Sequence, residues 1–139
     1  MRNEPKMSEQ VGVREDPSGA WTEAARRALR RHAPRTVNAA FDTCKRRSFA
    51  LAKAWAEQGM EVEVRQLVGY KGDTSRMHPR WKRVATGVIV HYVVREGNWY
   101  VDTTFAQFSG EHGVRILTPR EVEALWESEF RVPKESWWP

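Results

Sequence analysis

Apolar residues recur at helical spacing in the first part of the chain. Between residues 18 and 32 they fall on one side of a helix that carries arginines on its other side, and they are Trp21, Ala24, Ala25, Ala28 and Leu29. Because the residue before a proline avoids helical geometry, this helix is expected to end before Pro34.

A second stripe of apolar residues predicts a second helix. Its members are Phe49, Leu51, Ala52, Trp55 and Ala56. Asp42 or Thr43 is expected to cap the start of this helix, since short polar side chains accept hydrogen bonds from the first helical N–H groups. The helix is expected to run through Gln58, with Gly59 as a left-handed stop.

The pattern changes to alternation after residue 60. Residues 60–70 predict a strand, residues 71–80 a polar loop, and residues 82–95 and 98–104 two further strands. Thr118-Pro119-Arg120-Glu121 is a capping-box sequence, which predicts a last helix to about Glu129. The order of helix, helix, antiparallel sheet and helix predicts an α+β domain.

Composition sets the domain organisation and the cellular setting. Residues 1–17 have few apolar anchors and predict a flexible tail, which leaves residues 18–139 as a single domain. The chain has no apolar run long enough to cross a membrane, and its one cysteine cannot form an internal disulfide. A cytoplasmic location is expected, with delivery by a secretion system that reads no cleavable signal as the alternative.

Cys44 is the single cysteine, and it falls in the first turn of the second predicted helix. A thiol attacks carbonyl carbon as the thiolate, and the free N–H groups and dipole of a helix N-terminus favour that negative form. A lone cysteine more often packs as a small buried hydrophobe. Its chemical role therefore depends on what stands beside it.

The segment 88-VIVHYVVREGNWYVDTT-104 predicts a β-hairpin that carries a histidine and an aspartate. With Glu96 and Gly97 as a two-residue turn, His91 falls directly opposite Asp102. Opposed side chains lie on one face of the sheet, with Cβ atoms roughly 4.5–5.5 Å apart. A carboxylate in that position can orient a histidine base, so Cys44, His91 and Asp102 are predicted to form a catalytic triad.

Acyl chemistry at a thiol also needs donors for the developing oxyanion. The backbone N–H of Cys44 is one candidate, and the side-chain amide of Asn38 is the second, with an ordinary turn asparagine as the alternative reading. Gln107 and Trp81 are candidates to line the substrate. No metal or cofactor is expected, because one cysteine and scattered histidines give no zinc-ligand spacing.

A cysteine at a helix mouth, followed by histidine and aspartate on adjacent strands, resembles the papain-like and transglutaminase-like cysteine enzymes. The stretch HYVVREGNWYVDTTFAQF looks especially like the small bacterial papain-fold deamidase, toxin and peptidase-like proteins. The resemblance covers residues 38–108. It implies a helix that carries the cysteine packed on an antiparallel sheet, thioester chemistry on an amide of a protein or peptide substrate, and an oxyanion role for Asn38. The text DTCKRRS lacks the Gly/Trp-rich setting of the large papain proteases, which argues against a general endoprotease.

Two other functions remain open from the sequence. The net charge of +5 and the arginines of the first helix fit a non-enzymatic module that binds nucleic acid or an acidic protein. Such clusters are more often solvated helix faces, so nucleic acid is the weaker partner prediction and an amide-bearing protein or peptide the stronger. A degenerate family member that kept the fold without catalysis is the other alternative.

Overall fold

The computed structural model describes residue 19 and residues 21–83, 88–111 and 113–138, with the side chains of residues 82 and 83 left aside. The helices are α1 (Glu23–His32), α2 (Val37–Ala40), α3 (Cys44–Glu57), α4 (Pro79–Arg83), α5 (Ala106–Ser109) and α6 (Pro119–Leu125). The strands are β1 (Val62–Tyr70), β2 (Val90–Glu96), β3 (Trp99–Asp102), β4 (Arg115–Leu117) and β5 (Trp126–Val132), and a 3-10 turn follows at Lys134–Trp137. The predicted tail of residues 1–17 lies outside the described residues.

The strands form one antiparallel sheet in the order β4-β3-β2-β1-β5. The α+β prediction is therefore confirmed. On one face of the sheet, α1 and α3 pack on apolar residues of β1 to β4 such as Val64, Val94 and Val101. The other face carries a separate aromatic-rich core that includes Tyr100, Phe108 and Trp126.

The two long helices form where their apolar stripes predict, but α1 begins at Glu23 rather than near residue 18, so Trp21 lies before the helix, because Thr22 caps it. Thr22 caps α1 by accepting a hydrogen bond from the N–H of Ala25 at 3.0 Å. Trp55 of α3 is fully buried and donates its indole N–H to the carbonyl of Ala25 at 2.9 Å, which fixes α3 against α1. Gly59 follows α3 with φ +87, so the predicted left-handed stop is confirmed.

The last helix begins where the capping box predicts, but it ends earlier than predicted. Thr118 and Glu121 form the full capping box, but α6 ends at Leu125. Residues Trp126–Val132 are strand β5, which pairs with β1 from Tyr70↔Trp126 to Val64↔Val132. The helical prediction to Glu129 was wrong because β1 offers the free edge of the sheet, and ladder hydrogen bonds outweigh a weak local preference.

The strand predicted over residues 82–95 also needs correction. Pro79–Arg83 is a short helix, and β2 begins only at Val90. Residues 84–87 lie outside the described part of the chain. The strand predicted over 98–104 is shorter than expected, because residues 103–105 turn away from the sheet into α5.

The β2–β3 hairpin has a register two residues away from the predicted one. Glu96 pairs with Trp99, so the turn is Gly97-Asn98, with Gly97 at φ +62. A glycine favours this turn because it adopts a positive φ at no steric cost. Val94 pairs with Val101 in this register. Continued by one residue, the register places Asp102 opposite Val93, so His91 is the diagonal neighbour of Asp102. A shift of two residues leaves every side chain on its predicted face.

Candidate active site

Cys44 is the first residue of α3 and is 7% exposed. Thr43 caps the helix without a side-chain hydrogen bond to its N–H groups, because its hydroxyl donates instead to the carbonyl of Ala39 at 3.1 Å. One turn along, the Ser48 hydroxyl donates to the backbone carbonyl of Tyr92 at 2.9 Å. This bond fixes the start of α3 beside the strand residue that follows His91.

His91 and Asp102 form a buried pair. Nε2 of His91 lies 2.8 Å from Oδ2 of Asp102, and both side chains are essentially inaccessible to solvent. The other carboxylate oxygen, Oδ1, accepts the backbone N–H of Thr104 at 3.1 Å. Buried charge is tolerated when it is paired and hydrogen-bonded, and this carboxylate has a partner on each oxygen. Asp102 therefore fixes the imidazole in one orientation; its catalytic role stays a prediction.

The second ring nitrogen of His91 is the one available to a reacting group. Nδ1 is buried and has no hydrogen-bond partner within the described residues. Burial alone lowers the pKa of His91, but the carboxylate of Asp102 and the side chain of Cys44 act in the opposite direction and raise it to about 10. The Cys44 side chain therefore contributes to the electrostatic environment of the ring, and a protonated His91 is favoured at neutral pH.

Aromatic rings enclose His91 on the side of the sheet that carries α6. Trp126 stacks on the imidazole, and Phe108 meets it edge-on with the ring centroids 4.9 Å apart. These rings exclude water from the His91–Asp102 pair, and low local polarity strengthens the attraction within it.

Gln107 and Trp81, predicted to line the substrate, are hydrogen-bonded to each other. The Trp81 indole N–H donates to Oε1 of Gln107 at 2.8 Å. Gln107 is fully buried, whereas Trp81 is partly exposed. In this structure Gln107 is thus an internal support rather than an exposed lining residue, because its amide is already engaged. A substrate contact for Trp81 stays a prediction.

Asn38 lies on α2, and its amide oxygen is held by His78. Nε2 of His78 is 2.9 Å from Oδ1 of Asn38, while Nδ1 of His78 accepts the backbone N–H of Arg80 at 3.1 Å. These bonds assign the proton of His78 to Nε2, which donates to Asn38. Because this bond uses only the oxygen of the Asn38 amide, the amide nitrogen can still donate a hydrogen bond to another group. The oxyanion role of Asn38 stays a prediction.

Two neighbours of the site were missed by sequence reasoning. His78 is buried, bonded to Asn38 and stacked on Phe41 with centroids 4.5 Å apart, although the sequence assigns it no role. Trp126 was placed on a helix. The only sequence signal for His78 was its place in a polar loop that could cover a site, and no local signal joins residue 126 to residue 91.

No group of histidine, cysteine, aspartate and glutamate side chains suited to a metal ion occurs among the described residues. No helix in the same part of the chain is both long and apolar enough to cross a membrane.

Comparison with known proteins gives no relative: no family model, no curated protein and no solved structure matches the chain. The resemblance to papain-like enzymes stays a prediction.

Proposed function

We propose that the protein is a cysteine amide hydrolase or acyl transferase, of the deamidase or peptidase-like kind, that works through a thioester. The observation that carries this proposal is the buried His91, which bonds Asp102 through Nε2 and interacts with Cys44. Nucleophilic catalysis at cysteine uses a thiol, a base that can exchange a proton with it, and a group that orients the base.

The reaction divides into two steps. In the first, the Cys44 sulfur attacks the carbonyl carbon of an amide, and protonated His91 gives its Nδ1 proton to the leaving nitrogen as the C–N bond breaks. In the second, neutral His91 takes a proton from water or an amine, which attacks the thioester and expels the sulfur as thiolate. Asp102 holds the ring throughout and stabilises its charged form.

The oxyanion formed in each step needs donors aimed at it. The backbone N–H of Cys44, at the first position of α3, is one such donor, and the Asn38 amide nitrogen is the second in this proposal. The arrangement of a cysteine-bearing helix on an antiparallel sheet, with the histidine and aspartate following in chain order, supports a papain-like or transglutaminase-like core. The proposed substrate is a protein or peptide carrying an amide.

Thiol reactivity tests the proposal directly. Iodoacetamide at about pH 6, well below the pKa of an ordinary cysteine, should alkylate Cys44 faster than it alkylates N-acetylcysteine. Burial alone would slow the reaction, so an excess rate reports activation. His91→Ala should remove the excess, and Cys44→Ser should remove labelling. A wild-type rate at or below that of the free thiol would reject the proposal.

The release step is distinguished by the products. Mass spectrometry of peptides incubated with the protein should show glutamine converted to glutamate for a deamidase, chain cleavage for a peptidase, or an amine adduct for a transferase. The Cys44→Ser variant is the negative control for all three assays and should give none of these products.

A second candidate function is binding of a polyanion. A groove of about 780 Å³ between α1 and α3 has the basic residues Arg27, Arg30, Arg31, His32 and Arg35 on its walls, with Glu57 as the acidic member. Burial is the main cause of the lowered pKa of His32, and the nearby charges of Arg31 and Arg47 lower it further, so cations lie close to this histidine on the groove wall.

Salt dependence tests this second candidate. The logarithm of the binding constant for a DNA or RNA oligonucleotide should fall linearly with the logarithm of salt concentration, and Arg31→Ala should reduce the slope by about one unit. Cys44→Ser should leave it unchanged. Failure to bind DNA, RNA or poly-glutamate at low salt would remove the candidate.

A further inference from the structure

The side chain of Gln107 is a buried amide at the centre of a hydrogen-bonded connection. Its Oε1 accepts two N–H groups, from the backbone of Asp42 at 3.2 Å and from the indole of Trp81. Its Nε2 donates to the hydroxyl of Thr104 at 3.0 Å. A buried amide is costly when unpaired, so these three bonds account for a glutamine at a fully buried position.

The Asp42 end of this connection is a strained turn immediately before the nucleophile. Asp42 has φ +58 and stands two residues before Cys44. A residue with a Cβ adopts this left-handed geometry only at an energetic cost, so the surroundings must hold it there. Gln107 supplies that hold by accepting the Asp42 N–H.

The Thr104 end of the connection leads to the base. The backbone N–H of Thr104 donates to Oδ1 of Asp102, and Oδ2 of the same carboxylate bonds His91. Asp102, Thr104 and Gln107 are all fully buried. A continuous path of hydrogen bonds therefore runs from the carboxylate through Thr104 and Gln107 to the turn that presents the thiol.

We propose that Gln107 is a positioning residue, whose amide sets where the Cys44 thiol stands relative to His91 by tying the Asp42 turn to the Asp102 end of the hairpin. This inference rests on the proposed function. The backbone of Gln107 serves the same end, since its carbonyl accepts the N–H of His78 at 2.8 Å and thereby anchors the segment that leads to Trp81. Near-attack geometry is sensitive to displacements of about 1 Å, which can cost about 100-fold in rate.

The primary test compares Cys44 alkylation in the wild type and in Gln107→Met, a variant of similar volume that lacks the side-chain amide. We expect the excess rate over N-acetylcysteine to fall about 10- to 100-fold while circular dichroism shows a folded protein. The pH profile of alkylation should move toward that of the free thiol, a change that a loss of stability alone would not produce.

If Gln107→Met does not fold, a second pair of variants tests the role of the Gln107 amide. Thr104→Val removes only the hydroxyl that accepts from Gln107, and Thr104→Ser retains it. Thr104→Val should lower the excess rate by about threefold or more, and Thr104→Ser should restore it. The inference would be overturned if either variant, Gln107→Met or Thr104→Val, folded and kept the full wild-type excess of Cys44 alkylation over N-acetylcysteine. A wild type without any excess would instead reject the proposed function itself.

Discussion

Trp126 stacks on the ring of His91, with centroids 5.3 Å apart and planes 11° from parallel. The tryptophan comes from the strand at the edge of the sheet, and the histidine from the strand at its centre. Trp126 is 3% exposed, and its indole N–H has no hydrogen-bond partner among the described residues. Its contribution is therefore an apolar wall that keeps His91 dry and in place.

Substitution at Trp126 should separate ring packing from the indole N–H. Trp126→Ala opens a cavity over His91 and should lower the free energy of unfolding by about 3–5 kcal/mol. Trp126→Phe keeps an aromatic ring and removes the unpaired N–H, so its cost should be clearly smaller. Urea denaturation of the two variants measures the difference. Equal losses of stability for the two variants would show that an aromatic ring packed on His91 contributes little.

The His91–Asp102 pair should make stability depend on pH. The pKa of His91 is raised from 6.5 to about 10, so the pair contributes fully below pH 6.5 and its contribution is lost as the pH rises through about 10. Asp102→Asn should cost about 3–5 kcal/mol near pH 6, because it breaks a buried pair. The gap between wild type and variant should narrow toward pH 10.

An exposed ion pair provides the control for that measurement. Arg76 and Glu111 lie 3.0 Å apart with more than half of each side chain exposed. Arg76→Gln, which leaves the second bond of Glu111 to Arg115 in place, should change the free energy of unfolding by less than about 1 kcal/mol, with no trend across the same pH range. A gap for Asp102→Asn that stays constant or widens with pH would contradict the assignment of charge to His91.

The left-handed turn at Asp42 predicts a gain from glycine. Asp42→Gly relieves a strain of about 1–2 kcal/mol and adds backbone entropy worth about 0.5–1 kcal/mol to the unfolded chain. The expected result is unchanged or slightly higher stability, whereas Asp42→Val should destabilise, because a β-branched residue fits this geometry poorly. Thermal melting of both variants decides, and a loss for Asp42→Gly as large as that for Asp42→Val would refute the prediction.

Two tyrosines should resist alkaline titration. Burial and then the charges of Asp73 and Asp102 raise the pKa of Tyr70 to about 12, and burial and then Glu129 raise that of Tyr100 to about 12. Ultraviolet absorbance of the native protein should therefore show at most one of the three tyrosines ionising near pH 10. Tyr100→Phe should remove one of the late-titrating groups and leave the early part of the curve unchanged.

The hairpin shows how far sequence reasoning reached. Alternation along residues 88–104 identified both strands and put His91 and Asp102 on one face, which needs only the period of two. The register depends on which residues occupy the turn, and Gly97 takes its first position rather than its second. The predicted register differs from the observed one by two residues. A shift of two keeps each side chain on the same face of the sheet, so His91 and Asp102 are still in contact.

Other parts of the site depend on contacts that no local pattern encodes. His78 meets Asn38 across 40 positions of sequence, and Asp42 meets Gln107 across 65. Residues Trp126–Val132 form a strand because β1 is free to pair with them. Local pattern therefore predicted the helix that carries Cys44 and the faces of the hairpin, while the supports around them follow from tertiary packing.

The strand order β4-β3-β2-β1-β5 also bears on the timing of biosynthesis. Cys44, His91 and Asp102 all leave the ribosome before Trp126, yet the wall over His91 forms only when β5 has docked on β1. A nascent chain lacking β5 would hold the three residues without that wall, with the His91–Asp102 pair open to water that weakens it. The wall over His91 is thus completed by a strand that is synthesised after all three residues, so the His91–Asp102 pair is enclosed only once β5 has docked on β1.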